Sequence, residues 1–199
     1  MHVDSSDNAL GRRIVIWGAT GSGKTTLGRR LSKALNLHRV DLDEIRHARG
    51  FESVEYDEFR ERLTTILDEH SAGGWVVSGS YSEISDVYLS RADTLIWLNM
   101  PWRISFWRLF KRTVVRAYAR SELYPGSPAR ESWRLSFFSR RSILLWSVTH
   151  YRSHVERTRS RLDAMRDRPI RIVELRSARE VAALLRSVED TSLIDSSLH

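Results

Sequence analysis

Apolar residues along the chain fall into short runs, separated by longer segments in which polar and apolar positions alternate with a helical period. The short runs are rich in β-branched and aromatic residues, and polar residues or glycine bound them closely, which is typical of buried β-strands. They predict strands at residues 13–17, 38–40, 75–78, 94–98 and 170–175.

The segments between the predicted strands have the apolar spacing of amphipathic helices. They predict helices at residues 24–35, 56–70, 82–90, 101–120, 134–166 and 178–187. Because strands and helices alternate along the chain, the sequence predicts an α/β fold in which helices sandwich a five-stranded parallel sheet. In such a sheet, ligands bind outside the carboxyl ends of the strands.

The same pattern suggests how the chain is organised. We expect one domain over residues 12–188, with flexible tails at residues 1–11 and 189–199. Residues 122–129 hold two of the four prolines and a glycine, which indicates a loop that interrupts a helical region. This loop would form the tip of a helical lid insertion at about residues 108–142.

Composition and charge narrow the class of protein. No apolar run approaches the roughly 18 residues of a membrane span, and no basic-then-apolar signal opens the chain. We therefore expect a cytoplasmic protein, monomeric or dimeric, that has no membrane partner. The absence of cysteine excludes disulfides and cysteine zinc sites. The net charge of +7 and the pI near 10.2 favour anionic partners such as nucleotides, phosphorylated metabolites or nucleic acid.

The loop after the first predicted strand carries the phosphate-binding motif G-x-x-x-x-G-K-[ST], the P-loop. A strand, a glycine loop and a helix in this order direct backbone N–H groups and the positive end of a helix dipole at one point. Lys24, to which we also assign a catalytic role, would reach the β- and γ-phosphates, and the Thr25 hydroxyl would bind Mg²⁺. The sequence thus predicts binding of ATP and Mg²⁺. The predicted nucleotide-binding set is Gly18, Ala19, Thr20, Gly21, Ser22, Gly23, Lys24, Thr25 and Thr26.

Two acidic residues, Asp41 and Asp43, follow the second predicted strand. An extended backbone would place both carboxylates on one side, close to the phosphates. Phosphoryl transfer from MgATP needs one group that supports the metal and another that orients or deprotonates the attacking hydroxyl. We assign the metal role to Asp41, and the catalytic and acceptor-binding role to Asp43. The alternative is an aspartate that caps a helix beginning near Glu44.

The segment Val-Asp-Leu-Asp-Glu-Ile at residues 40–45 resembles shikimate kinase, in which the acidic pair serves Mg²⁺ and the substrate hydroxyl. About residues 12–187 are also similar to adenylate-kinase-like P-loop proteins that are labelled "DNA topology modulation" proteins. The second resemblance is carried by Pro101 and by residues 75–82, 91–98, 107–113, 138–146 and 173–180. Both resemblances imply a P-loop kinase fold and the use of ATP.

The resemblance to shikimate kinase also suggests where the acceptor binds. The step Phe59-Arg60 resembles the Phe-Arg step that holds the acid substrate in that family, so we include Arg60 in the predicted acceptor site. A surface arginine between two glutamates is the alternative. Gly79 completes the predicted site, because a glycine lets a substrate approach the backbone closely.

One departure from the second family lies at the end of the third predicted strand. Ser78 and Ser80 stand where the resemblance implies Asp and Asn. Many P-loop enzymes keep at this position the acidic residue that anchors the magnesium shell. Here the metal would have to depend on Thr25, phosphate oxygens, water, and Asp41 or Asp43.

Arginines recur every four residues along the helix predicted at residues 101–120. Arg108, Arg112, Arg116 and Arg120 form one stripe, and like charges at this spacing repel one another. An anion would neutralise them, and the planar guanidinium suits phosphate. We therefore predict that Arg112 and Arg116 are catalytic residues that close over the triphosphate. The alternative is a solvated basic face.

Two histidines later in the chain, His150 and His154, have the i,i+4 spacing of a helical metal site. The tyrosine at position 151 does not fit the H-E-x-x-H motif, and no third ligand is evident. We interpret both as ordinary helix residues.

The leading hypothesis is a P-loop kinase that transfers a phosphoryl group from ATP to a small-molecule acceptor, whether nucleoside, nucleotide or metabolite. One alternative is a nucleotide-responsive nucleic-acid-binding or regulatory ATPase. The basic charge supports this alternative, but the chain carries no recognised nucleic-acid motif. Another is an ATPase without a small acceptor, acting as a sensor or as a toxin-like kinase of a cellular target.

Overall fold

The computed structural model describes residues 10–47, 54–119 and 143–196, and within them it contains one parallel β-sheet. Neighbouring strands follow the order β2-β3-β1-β4-β5, and each pair is parallel. Every predicted strand is confirmed, with ends that differ by at most one residue. The strands are β1 (Arg13–Gly18), β2 (His38–Asp41), β3 (Trp75–Ser78), β4 (Thr94–Leu98) and β5 (Arg171–Leu175).

Helices connect the strands, as the sequence predicts. A 3₁₀ turn at Ser82–Ile84 and a short helix replace the single helix expected at residues 82–90. The last helix continues to Ser196, so its predicted end at residue 187 is wrong. The helices are α1 (Lys24–Leu35), α2 (Leu42–Arg46), α3 (Tyr56–Glu69), α4 (Ser85–Leu89), α5 (Trp102–Ala119), α6 (Ile143–Asp163) and α7 (Ala178–Ser196).

Some predictions about segments lie outside the described residues. These are the first nine residues of the N-terminal tail, the expected loop at residues 122–129, and the part of the lid that spans residues 120–142. The helix predicted from residue 134 is described only from Ile143. No helix in the described ranges is both long enough and apolar enough to cross a membrane.

The sheet is buried on both faces because alternate side chains of each strand pack against different helices. Ile14 and Ile16 of β1 belong to a core with residues of α1 and α7. Val15 and Trp17 belong to a second core with residues of α2, α3, α4 and α6. This two-sided burial explains why the strands are continuous apolar runs in the sequence.

The strand order brings three strand ends to one edge of the sheet. In register, Asp41 of β2 pairs with Ser78 of β3, and Ser78 pairs with Ile16 of β1. The loop that follows β1 therefore lies beside the carboxyl ends of β2 and β3. This is the edge at which parallel α/β sheets bind ligands.

Candidate active site

The P-loop joins β1 to α1 through backbone conformations that only glycine adopts readily. Gly21 and Gly23 have φ angles of 82° and 105°. A Cβ atom on Gly21 would lie 2.3 Å from the backbone oxygen of Ser105 in α5. The loop is thus packed directly against α5, and Gly23 immediately precedes the first turn of α1. Its backbone N–H groups can serve an anion at the N-terminus of α1.

Lys24 lies over this loop. Its Nζ donates hydrogen bonds to the backbone oxygens of Gly18 and Ala19, at 2.8 and 3.1 Å. Burial lowers the pKa of Lys24 from its ordinary value, the carboxylates of Asp43 and Asp41 oppose that shift, and the charge of Arg112 adds to it. A buried ammonium group that is only partly compensated favours the approach of an anion such as a phosphate.

Asp41 contacts the P-loop threonine. The hydroxyl of Thr25 donates to Asp41 Oδ2 at 3.0 Å, and the carboxylate is only 6% exposed. Burial raises the pKa of Asp41, and the neighbouring Asp43 raises it further. Asp41 is also the N-cap of α2, because its Oδ1 accepts from the backbone N–H of Asp43 at 3.1 Å. The Asp41 side chain therefore caps α2 with one oxygen and contacts the P-loop with the other.

Tyr81 holds the Asp43 carboxylate through a hydrogen bond. The Tyr81 hydroxyl donates to Asp43 Oδ1 at 2.8 Å. The Tyr81 ring packs edge-on against Phe59, and its backbone oxygen accepts a hydrogen bond from the Tyr88 hydroxyl. The side chain that caps α2 is that of Asp41, so the Asp43 carboxylate remains available to the neighbouring cavity.

A cavity of about 300 Å³, which we call the P-loop cavity, brings these elements together. Lys24 of the P-loop, Asp43 of α2, and Gly79 and Ser80 after β3 all line it. Trp17, Gly18, Thr20, Tyr81 and Ser82 complete the walls from the sheet side. The structure thus brings five of the predicted residues to one space: Gly18, Thr20, Lys24, Asp43 and Gly79.

The remaining wall comes from α6, which the sequence analysis did not assign to the site. His154, Arg157, Thr158 and Arg161 line the P-loop cavity, and their spacing of three, four and seven residues marks one face of a helix. In the described part of the chain, neither arginine forms an ion pair. The Arg157 Nε atom donates to the backbone oxygen of Ser153, and the Arg161 guanidinium lies over the Trp17 ring. The cavity therefore combines a cationic wall from α6 with the carboxylate of Asp43.

Gly79 is placed as expected, and its backbone explains why it is glycine. Its φ angle is 137°, and a Cβ atom would lie 2.8 Å from the Cβ of Leu42, the first residue of α2. Ser78 is 2% exposed, and its hydroxyl lies 3.5 Å from the backbone oxygen of Val40. It is not among the residues that line the P-loop cavity.

Arg60 does not reach the P-loop cavity. Its guanidinium forms an ion pair with Asp86 of α4 on the surface, and the Arg60–Asp86 hydrogen bonds raise the pKa of Arg60. The surface alternative that the sequence left open is therefore the arrangement that the structure has. An acceptor in the P-loop cavity would meet the arginines of α6 instead.

The arginine stripe of α5 approaches the P-loop through its first member. Arg108 Nη1 donates to the backbone oxygen of Ser22 at 3.2 Å. Arg112 is exposed, but it lies near enough to lower the pKa of Lys24. The side chain of Arg116 and all of Arg120 lie outside the described residues. The structure thus leaves the proposed closure by Arg112 and Arg116 as a prediction.

A second cavity, of about 320 Å³, lies on the other side of the P-loop, and we call it the outer cavity. Thr26 and Arg108 line it together with Ala178 and Val181 of α7. Ser22 and Gly23 line this cavity, whereas Gly18 and Thr20 line the P-loop cavity. One loop therefore separates two spaces, which suits a nucleotide that extends along it.

Comparisons with known proteins agree with this arrangement. The profile of the shikimate kinase family matches residues 20–166. A protein from Corynebacterium glutamicum named shikimate kinase is 35% identical over 98 residues, which cover 44% of this chain and 58% of that protein. The chain therefore matches little more than half the length of that relative.

The solved structure of shikimate kinase from Acinetobacter baumannii, in complex with shikimate, is similar in fold. Its TM-score is 0.52 at 17% identity, and the match covers 92% of this chain and 93% of that one. The predicted α/β fold, a parallel sheet flanked by helices with a P-loop after its first strand, is thereby confirmed.

Proposed function

The chain belongs to the shikimate kinase family, and we propose that it transfers the γ-phosphoryl group of ATP to a hydroxyl of a small-molecule acceptor. The observation that carries this proposal is that Lys24 and Asp43 line the same cavity beside the P-loop. A kinase needs a cation for the phosphates and a carboxylate for the attacking hydroxyl within reach of each other. The P-loop cavity offers both.

ATP would lie along the P-loop, with its phosphates at the N-terminus of α1 and its base in the outer cavity. Thr25 and Asp41 fit a magnesium ion, because hydroxyl and carboxylate oxygens are its preferred ligands and these two lie 3.0 Å apart. Mg²⁺ bound there would neutralise charge on the phosphate oxygens. Lys24 would hold the β- and γ-phosphates, and Arg112 and Arg116 are the proposed lid arginines.

In the transfer step, the acceptor oxygen forms a bond to the γ-phosphorus while the bond from that phosphorus to the ADP oxygen breaks. Asp43 orients the attacking hydroxyl and accepts its proton. Tyr81 holds the Asp43 carboxylate through the 2.8 Å hydrogen bond.

The acceptor is proposed to be an anion. Arg157 and Arg161 line the same cavity as Asp43 and form no ion pair within the described residues, so a carboxylate or phosphate on the acceptor could pair with them. Shikimate, the acid that the family is named for, is therefore the first candidate. Because Arg60 is engaged with Asp86, other hydroxy acids and phosphorylated metabolites are tested beside it.

We further propose that, within the P-loop kinases, the chain is related to the adenylate-kinase-like "DNA topology modulation" proteins. Residues 75–82 and 91–98 support this relationship. That resemblance leaves the acceptor open among nucleosides, nucleotides and metabolites, so all three classes are tested. A nucleic-acid-binding or regulatory ATPase is the competing function, and the net charge of +7 is its support. It differs from a kinase in one measurable respect, because its ATP turnover would not depend on an acceptor.

The test is a screen for acceptor-dependent ADP release. Purified protein is incubated with MgATP and with shikimate, other hydroxy acids, sugars, sugar phosphates, nucleosides or nucleotides, one at a time. We expect one class of acceptor to raise ADP release, and phosphorus NMR to identify the phosphorylated product. The Asp43→Asn variant should bind ATP in calorimetry but form no product. ADP release that is the same with every acceptor and without any would refute a kinase in favour of an ATPase.

A further inference from the structure

A small cavity of about 10 Å³ lies beside the P-loop, between α5 and α6, and we call it the wall cavity. Ala19 and Thr20 line it from the P-loop, and Trp102 and Ser105 line it from α5. His154 of α6 lines both the wall cavity and the P-loop cavity. The wall cavity thus touches the P-loop and α6, which also line the P-loop cavity, and α5, which packs against the P-loop.

Three residues around the wall cavity carry buried polar atoms that have no hydrogen-bond partner among the described residues. These atoms are Trp102 Nε1, Ser105 Oγ and His154 Nε2. Buried polar atoms are rarely left unpaired in folded proteins. Because all three residues line the wall cavity, a single partner inside it could serve all three atoms. The hydroxyl of Tyr151, which also lines the cavity, already donates to the backbone oxygen of Met100.

The size and chemistry of the wall cavity match one water molecule. A cavity of this volume holds about one water, which needs two to four polar partners. The Trp102 indole N–H can only donate, a serine hydroxyl donates or accepts, and a neutral imidazole has one donor and one acceptor nitrogen. One water can satisfy all three groups, because it both donates and accepts.

His154 is neutral in this setting. Burial lowers its pKa to about 4, and the charges of Lys24, Arg157 and Arg161 act in the same direction. Lys24 faces it from the P-loop, and the two arginines from α6. From α5, the residues at the wall cavity are Trp102, Ser105 and an uncharged phenylalanine. A neutral ring is the form that can accept a hydrogen bond from water.

We infer that one ordered water molecule occupies the wall cavity and ties His154 to Trp102 and Ser105, which makes these three side chains positioning residues for the acceptor. The water would join α6 to α5 beside the P-loop. Arg157 and Arg161 lie one and two turns beyond His154 on the same face of α6, so the tie fixes where their guanidinium groups meet an acceptor. The inference about positioning rests on the proposed function, whereas the water site does not.

Stability measurements test the water site without any catalytic assay. If the water is present, Ser105→Ala removes one of its partners, and we expect the unfolding equilibrium constant in urea to rise by about 5- to 10-fold. If it is not, the substitution removes an unsatisfied buried hydroxyl, and the constant would stay the same or fall. Trp102→Phe should behave like Ser105→Ala, whereas Trp107→Phe on the exposed face of α5 is the control. A neutral or stabilising effect of both substitutions would overturn the inference.

A double substitution tests whether the water is shared. His154→Gln keeps a donor and an acceptor near the Nε2 position, so its unfolding equilibrium constant should be close to that of the wild type. His154→Leu keeps neither, so its unfolding equilibrium constant should be larger. Because one water links the two sites, Ser105→Ala combined with His154→Leu should raise the unfolding constant by clearly less than the product of the single effects. Strict multiplication of the two effects would contradict a shared partner.

Kinetics then test the positioning role. With the acceptor found by the screen, Ser105→Ala and His154→Leu should raise the KM for the acceptor by about three- to tenfold and leave the KM for ATP nearly unchanged. His154→Gln should restore the acceptor KM, and Glu156→Gln on the exposed side of α6 is the control. An unchanged acceptor KM in Ser105→Ala would overturn the positioning role. If no acceptor is found, the proposed function fails while the unfolding results still decide the water site.

Discussion

Replacing Gly79 by alanine tests the geometry of the candidate site through a single methyl group. Gly79 follows β3 with a φ angle of 137°, a conformation that side chains rarely adopt. The added Cβ would lie 2.8 Å from the Cβ of Leu42 and 3.1 Å from its Cγ and Cδ1. Leu42 is fully buried and immediately precedes Asp43, so it has little room to move, and any movement displaces the Asp43 carboxylate.

The expected loss of stability is the sum of two effects. Backbone strain at this φ angle costs about 1–3 kcal/mol. Overpacking against a buried side chain costs about 1–3 kcal/mol more. A total of about 2–6 kcal/mol in a chain of this size corresponds to a fall in Tm of roughly 4–24 °C. Product formation should fall as well, because α2 carries both Leu42 and Asp43.

Gly73 provides a matched control. A Cβ atom on Gly73 would meet nothing within 4 Å, so Gly73→Ala should leave stability unchanged or raise it by up to about 1 kcal/mol. Both variants are unfolded in urea, and their Tm values are measured by calorimetry. If the free energies of unfolding of Gly79→Ala and Gly73→Ala lie within about 0.5 kcal/mol of each other, the close contact between Gly79 and Leu42 is refuted.

Three further substitutions examine single groups of the site. Lys24→Ala should abolish ATP turnover and weaken ATP binding in calorimetry, since the buried ammonium is lost; unchanged turnover would refute the phosphate site. Tyr81→Phe removes a hydrogen bond to a carboxylate and should lower kcat/KM for the acceptor by about 10-fold or more, with ATP affinity retained. Because the pKa of Asp41 is raised in the folded state, wild-type stability contributed by this group is lost as pH rises above its ordinary pKa of 3.8. Between about pH 4 and 7, the free energy of unfolding of Asp41→Asn in urea should therefore rise relative to that of the wild type. A difference between the two that does not change with pH would contradict the raised pKa of Asp41.

The strands could be predicted because the sheet is buried on both faces, which forces short continuous apolar runs into the sequence. The end of α7 could not be predicted in the same way. Residues 176–199 contain neither glycine nor proline, so no stop signal separates residue 187 from Ser196. A fall in apolar content alone does not end a helix.

The acceptor side of the site was harder to predict because it depends on how α6 packs. This helix contains Arg152, Arg157, Arg159 and Arg161 within ten residues, and the sequence does not indicate which of them face inward. In the structure, Arg157 and Arg161 line the P-loop cavity, whereas Arg159 lies over the ring of Trp97. The spacing of His154, Arg157 and Arg161 puts them on one side of a helix, but only the packing of α6 shows that this side faces the P-loop.

The serine at position 78 also becomes understandable once neighbouring strands are considered together. Asp41 and Ser78 are register partners on adjacent strands, so both stand at the same level beside the P-loop. The Asp41 carboxylate reaches the Thr25 hydroxyl from its own strand, and therefore an acidic group stands next to the proposed metal ligand without one on β3. An aspartate at position 78 would add a second buried carboxylate beside Asp41, whose pKa burial and Asp43 already raise. Asp41 on β2 thus supplies the acidic group that other P-loop enzymes carry at the end of β3. The serine at position 78 therefore does not argue against phosphoryl transfer.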